Sequence, residues 1–273
     1  EISAYGMKDF FRDKFDEIDL NSFNLGKIIG GFDVHTKTYV VSLQNNNNVD
    51  YDTLAFDESV KGWVSRYSYK PDQIFSLKNN YFTTFSGGAE NFNGLYKHYF
   101  GSEYGKFYGV NVDSSVTTVF NPKVSLSKNF LTIGYEGSNG WEMNDFRSDF
   151  TGVDNGINFD DVTFPVKSYD EGEFVINPAT GQPVRPADYQ ATFGTPYPPY
   201  NKMRAGFNRK ENKYVSNLKN NSMPRPGEIV YAQSLSGVKG MFATVVFSID
   251  STTNITGKKE LFAVSSTYVE SSY

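Results

Sequence analysis

Apolar residues change their spacing once along this chain, from helical near the N-terminus to alternating through most of the remainder. In "MKDFFRDKFDEIDL" (residues 7–20), Met7, Phe10, Phe11, Phe15 and Ile18 recur at mostly helical intervals with charges between them. That spacing predicts a short amphipathic helix, which either packs on the rest of the chain or joins a segment upstream. From "NLGKIIGG" onward the period is close to two. "GGFDVHTKTYVVSL" reads as a strand, a polar turn around His35 to Lys37, and a second strand from Thr38 to Leu43, which together predict a β-hairpin. "QNNNNVD" then breaks the pattern, because Asn and Asp tolerate tight turns and satisfy local backbone groups.

The alternation returns in "YDTLAFDESVKGWVSRYSY", split by Gly62 into strands around a bend, and in "DQIFSLKNNYFTTF", where two β-prone runs flank a "KNN" turn. "NFNGLYKHYF" and "GKFYGVNV" continue it. "VTTVFNPKVSLSKNFLTIGYEGSNGWEM" predicts a strand, a proline-marked turn, a short ambiguous segment and another strand ending in a glycine-containing loop; "DFRSDFTGVDNGINFDD" is acidic and rich in turn formers. Asn177 to Asn201, "NPATGQPVRPADYQATFGTPYPPYN", holds six of the chain's 11 prolines. Prolines at that density predict an extended arm, without regular helix or central strand. After the arm, "NKYVSNL", "GEIVYAQSL", "GMFATVVFSID" and "KELFAVSSTYV" return to strand patterns. No repeat of 20 to 50 residues is visible, which argues against a repeat propeller.

These elements predict a mainly β fold of antiparallel sheets, sandwich- or barrel-like, with a short N-terminal helix and a long proline-rich arm. Residues 1–25 form the helical segment or linker. Residues 26–273 form a β-rich structural domain, whole or in two subdomains, with the proline-rich excursion at 177–201. At 273 residues either organisation buries a substantial core. Composition adds the material of that core: 24 Phe and 19 Tyr make aromatic packing its main source of buried area. The chain begins at a glutamate, which is open to processing, a start not included or excision from a longer protein, the last being the expectation.

Charge and residue types narrow the chemistry. A net charge of −5 lacks the basic footprint of a nucleic-acid binder, so no nucleic acid is expected as a partner. With no cysteine, thiol nucleophiles, zinc–cysteine sites and disulfides are excluded. No stretch approaches about 20 consecutive apolar residues, so no membrane-spanning helix is expected, and the N-terminus lacks the order of a signal peptide. "SGG", "YEGSNG" and "LSGVKG" lack the spacing of a phosphate-binding loop, so no nucleotide cofactor is expected.

Three groups of residues are candidates for a site. His35 and His98 are the two imidazoles, and neither lies in a nucleophile or metal motif; His35 reads as an exposed turn residue and His98 as a strand-surface or packing residue. Glu136, Glu142, Asp145 and Asp149 cluster beside Trp141, the ingredients of a glycosidase acid and nucleophile, or of a solvated acidic loop. In "VDNGINFDD", Asp154, Asn155, Asn158, Asp160 and Asp161 offer oxygen ligands of the kind calcium takes, although without EF-hand spacing. Most aromatic residues are expected in the core. Trp63, Tyr67, Trp141, Tyr189, Tyr197 and Tyr200 are the candidates for contact with a protein partner or a glycan.

Four blocks carry a resemblance: "TLAFDESVKGWVSRYSYKPDQIFSLKNNYFT", "VFNPKVSLSKNFLTIGYEGSNGW", "PRPGEIVYAQSLSGVKGMFATVVFS" and "KELFAVSSTYVESSY". Together they resemble virion structural proteins of tailed bacteriophages, especially large tail-associated proteins, over most of the chain after Gly30 apart from the proline-rich arm. The resemblance implies a non-enzymatic part of the tail, baseplate, fibre attachment or head-to-tail region, most often the end of a larger chain. Its partners would be other virion proteins and copies of itself in a symmetric assembly, contacted through loops 177–201 and 134–149, its location the virion, assembled in the host cytoplasm. It transfers no catalytic residue. The alternatives are a module that binds host-surface glycan and, further off, a glycan-cleaving enzyme.

Overall fold

The structure is a computed structural model that describes residues 5–18, 26–45, 50–86, 94–149, 152–154, 157–159, 165–194, 202–204, 206–220 and 236–271. The predicted strand at 227–235, residues 195–201 of the arm, and Asn155, Asp160 and Asp161 lie outside the described residues. The chain divides into two compact units, residues 1–112 and 113–273.

The first unit opens with α1 (Lys8–Glu17). Met7, Phe10, Phe11 and Ile18 turn their apolar face to Leu43, Leu54 and Trp63, while Phe15 stays 46 % exposed. Lys14 reaches the buried carboxylate of Asp52 at 3.6 Å, and Arg66 pairs with the same carboxylate, so the helix is held by charge as well as by apolar packing. Four strands follow as an antiparallel meander: β1 (Lys27–Asp33), β2 (Thr38–Gln44), β3 (Tyr51–Asp57) and β4 (Gly62–Tyr67). A second sheet joins β5 (Gln73–Leu77), β6 (Asn80–Phe85) and β7 (Gly94–Lys97), and β8 (Lys106–Phe107) pairs with β9 (Val110–Asn111).

The "KNN" turn is a two-residue hairpin. Lys78 and Asn79 both have positive φ, 47° and 60°, the conformation whose twist matches that of the flanking strands. Gly31 allows β1 to lie against β5, since a Cβ there would come within 2.4 Å of Ile74.

The second unit contains β10 (Ser115–Phe120), β11 (Lys128–Gly137), β12 (Trp141–Ser148), β13 (Gly152–Asp154) and β14 (Ile157–Phe159). There follow β15 (Glu173–Ile176), β16 (Pro183–Val184), α2 (Pro186–Phe193), β17 (Lys202–Arg204), β18 (Asn208–Lys210) and β19 (Lys213–Asn217). The chain closes with β20 (Val238–Gly240), β21 (Ala243–Ile249) and β22 (Leu261–Glu270). One sheet has the order β10–β21–β12. The other is built on β11, with β22 along one edge and β19 and β20 sharing the opposite edge; β18 pairs with β19.

One apolar cluster joins these two sheets. Phe130, Ile133, Tyr135, Tyr214 and Val238 come from one, and Trp141, Met143, Phe146, Val245 and Phe247 from the other. The core is therefore sandwich-like, and among the described residues no sheet closes into a barrel.

Strict alternation does not run the length of β11 and β12. Buried positions shift from Lys128 and Phe130 to Ile133 and Tyr135, and from Trp141 and Met143 to Phe146 and Ser148. In each case the ladder slips by one residue, at Leu131 and at Asn144, and the extra residue returns the following side chains to the core face. Lys128 is fully buried, and its ammonium donates to the carbonyls of Lys123 (3.0 Å) and Leu126 (2.7 Å), closing the proline-marked turn.

Two expectations change here. Residues 134–149 do not form a loop: they are the end of β11, a short crossover and β12, which lie in different sheets. Nor is the proline-rich arm without regular structure. Pro186 sits in the first helical turn, where its missing N–H removes no helical bond, and Gly194 at φ 66° returns its N–H to the carbonyl of Gln190. The prolines frame a two-turn helix.

Candidate functional site

The two imidazoles occupy different environments in the first unit. His35 is exposed in the β1–β2 turn and stacks on Tyr99 with ring centroids 4.1 Å apart. His98 lies among Tyr69, Tyr81, Phe107 and Tyr108, and its Nε2 is 2.7 Å from the Thr83 hydroxyl, which also lies 2.9 Å from Tyr108 Oη. Burial pushes the His98 pKa down to about 4 despite the attraction of Asp33, so the ring is neutral at pH 7.

Nearby, Asp33 is fully buried and accepts from Tyr99 Oη (2.6 Å), Thr36 Oγ1 (2.9 Å) and the backbone N–H of His35 (2.8 Å). Desolvation raises the pKa values of Tyr69, Tyr81, Tyr99 and Tyr108. The hydroxyl facing His98 is that of Thr83, which is itself fully buried and bridges to Tyr108, so these contacts hold the rings in place.

The four carboxylates near Trp141 have separate partners. Glu136 on β11 pairs with Lys213 on the facing strand at 2.7 Å, Glu142 with Lys167 at 2.8 Å, and Asp145 with its near neighbour Arg147 at 2.8 Å. Asp149 accepts the backbone N–H of Met241 at 2.6 Å and fixes the turn into β21. Each is committed to a different structural partner, and the two bearing strands belong to different sheets. Asp154 and Asn158 fall on the β13–β14 hairpin. Among the described residues no three acids or histidines gather as a metal site.

The candidate contact aromatics are likewise dispersed. Trp141 is 4 % exposed in the core, its indole N–H donating to the carbonyl of Glu260 at 3.2 Å. That burial removes its ring from any platform for a sugar. Trp63 packs under α1 against Phe11, centroids 4.8 Å apart, and Phe56, 5.4 Å. Tyr67 is half-buried and stacks on Tyr69. Tyr189 sits on α2 beside Phe193, 4.6 Å away. Tyr197 and Tyr200 lie outside the described residues.

A concave site of the second unit lies at the foot of the arm. A cleft of about 260 Å³ is lined by Tyr169, Asp170, Glu171, Glu173, Arg185 and Pro186, with Ala187 and Thr252. The Glu171 side chain is only 5 % exposed; it faces Lys167 (3.5 Å) and Arg185 (3.4 Å) and accepts from Thr252 Oγ1 (2.8 Å). Arg204 lies over the Tyr169 ring at 3.8 Å and pairs with Glu173 at 3.0 Å, which ties β17 to β15. Gly172 and Gly206 meet backbone to backbone there, where a Cβ on Gly206 would fall 2.4 Å from the Lys167 carbonyl.

These contacts fix both strands from which the arm leaves and returns. The arm's helix is less buried than its foot: no residue of α2 is fully buried, and Tyr189 and Phe193, both half-buried, lie 4.6 Å apart. Sequence reasoning missed the anchor, whose only signals were Pro186 at a helix start and two separated glycines.

Residues 102–221, which include the cleft lining apart from Thr252 and the described part of the arm, match the family model described as Crassvirus muzzle protein C-terminal domain. The match supports a phage virion structural protein. It covers less than half of the chain. No curated protein matches. The match overlaps one of the blocks behind the resemblance to phage virion proteins, "VFNPKVSLSKNFLTIGYEGSNGW", and takes in the arm that the resemblance left out.

Proposed function

We propose that the chain is a non-enzymatic assembly part of the phage particle, in the tail, baseplate, fibre attachment or head-to-tail region. In this reading the two β units supply rigidity and the 177–201 arm docks on a neighbouring virion protein. The observation that carries it is the contrast between the arm's foot and its helix. The foot is fixed by Arg185–Glu171, Arg204–Glu173 and the Gly172–Gly206 contact, whereas α2 carries the half-buried rings of Tyr189 and Phe193 on eight residues of which none is fully buried. Helices shorter than about 12–15 residues are marginal alone in water, and burial against a partner would stabilise this one.

The test replaces residues 186–194 by a Gly-Ser linker of equal length. The variant should unfold at nearly the same temperature as the parent and enter particles, or bind its neighbouring virion protein, much less. Normal incorporation would overturn the reading. Glycan binding has less support, because Trp141 is in the core and Trp63 lies beneath α1.

A further inference from the structure

The β11-centred sheet has two very different edges. At one, β18 is three residues long, Asn208, Arg209 and Lys210, all exposed and two of them cationic. Short charged strands are a common means of keeping a sheet edge from pairing with another chain. At the other, β22 runs for ten residues, "LFAVSSTYVE", and among the described residues it pairs with β11 alone. It contains no Lys, Arg or Pro, and its one charged residue, Glu270, stands at the end and pairs with Lys123. Phe262 and Val269 are 73 % and 49 % exposed.

We infer that β22 is an interaction edge and that its occupant is β22 of a second copy of this chain, added antiparallel to continue the sheet. An extended strand satisfies such a row of backbone groups, and the side-chain pattern favours this one. Val264, Ser266 and Tyr268 are partly buried, with Val264 and Tyr268 packed on the core, while Ala263, Ser265, Thr267 and Val269 are exposed. Pairing about Ser266 sets Val264 opposite Tyr268, Ser265 opposite Thr267 and Ala263 opposite Val269. Every core-side residue then faces a core-side residue, and no charge meets a like charge. A shift by one residue would oppose inward and outward faces. Small hydroxyl residues at the centre let the two backbones approach without a clash.

This inference deepens the assembly reading and rests on it, but it concerns a different surface from the arm, so the two fail separately. The test uses the full chain in sedimentation velocity, alone and as two variants, Ser265→Lys with Thr267→Lys, and Ser265→Glu with Thr267→Glu. Both substituted positions are exposed, so the melting temperature of each variant should stay near the parent's. The parent should dimerise with rising concentration, each variant should dimerise at least about tenfold more weakly, and a 1:1 mixture of the two should recover association.

A parent that stays monomeric to about 1 mM would overturn the inference, as would a lysine variant that dimerises like the parent. A mixture without recovery would show that β22 meets some other chain and would equally overturn it. If any of these results accompanied loss of particle entry in the arm variant, the edge would be wrong and the arm reading would stand.

Discussion

Replacing Phe247 by alanine tests whether aromatic packing joins the two sheets of the second unit. Phe247 is fully buried on β21, the central strand of its sheet; it meets Tyr135 of the opposite sheet edge-on at 5.8 Å and lies nearly parallel to Phe207 at 6.1 Å. Truncation removes the ring from both contacts and leaves a void that β strands on either side cannot close without breaking their ladders. Buried Phe→Ala changes cost about 3–5 kcal/mol, against a total of roughly 5–15 kcal/mol for a domain. At about 2–4 °C per kcal/mol for a unit of this size, the midpoint should fall by roughly 6–20 °C. Phe262→Ala, on a ring that is largely exposed, is the control and should change stability by no more than about 0.5 kcal/mol. Thermal unfolding followed by near-ultraviolet circular dichroism, with a urea titration to check that the slope is unchanged, measures both. Equal shifts for the two variants would refute the idea that these rings join the sheets.

Other predictions concern charge and close approach. His98 titrates near its ordinary value of 6.5 in the unfolded chain and at about 4 in the folded one, so below pH 6.5 the unfolded state takes up a proton that the folded state does not. Stability of the first unit should therefore fall between pH 6.5 and 4, by about 3 kcal/mol in all, and His98→Gln should flatten that part of a melting-temperature profile; an unchanged slope would place the proton elsewhere. Gly206→Ala should cost about 1–3 kcal/mol, read from thermal unfolding, because backbone carbonyls and not mobile side-chain ends block the new methyl group. Asp149→Asn should loosen the turn into β21, seen as faster exchange of the Met241 and Phe242 amides, because it weakens the charge-assisted acceptance of both N–H groups. Unchanged exchange at those two amides would show that the carboxylate is dispensable there.

Much of the fold was legible because local rules and tertiary structure agree. The hairpins around His35 to Lys37 and at Lys78–Asn79 follow from turn residues between alternating runs, and the N-terminal helix follows from its apolar face. The rest depends on partners far away in sequence. No local pattern reveals that β11 pairs with β22 across more than a hundred residues, or that bulges at Leu131 and Asn144 flip the inward face mid-strand. The bulges also explain why 134–149 reads as a loop: alternation broken in the middle of a strand looks like no strand at all. The helix at 186–193 was hidden by its prolines, of which Pro186 starts it and none lies within its interior.

At the level of sites, spacing brought Glu136, Glu142, Asp145 and Asp149 together on paper, while the crossover between sheets gave each a separate cation or backbone partner. Trp141, chosen as a surface candidate because of its polar neighbours, is drawn inward by the same parity that buries Met143. The anchor of the arm combines residues from 167–173 with Arg185, Arg204 and Gly206, a grouping that only the folded chain makes.

In the proposed reading, the arm's helix is the surface that meets a neighbouring protein in the particle. Hydrogen exchange of the 186–194 amides, measured on the isolated chain and on assembled particles, tests it most directly. Fast exchange in isolation with strong protection in the particle is the predicted result; equal exchange in both states would contradict it.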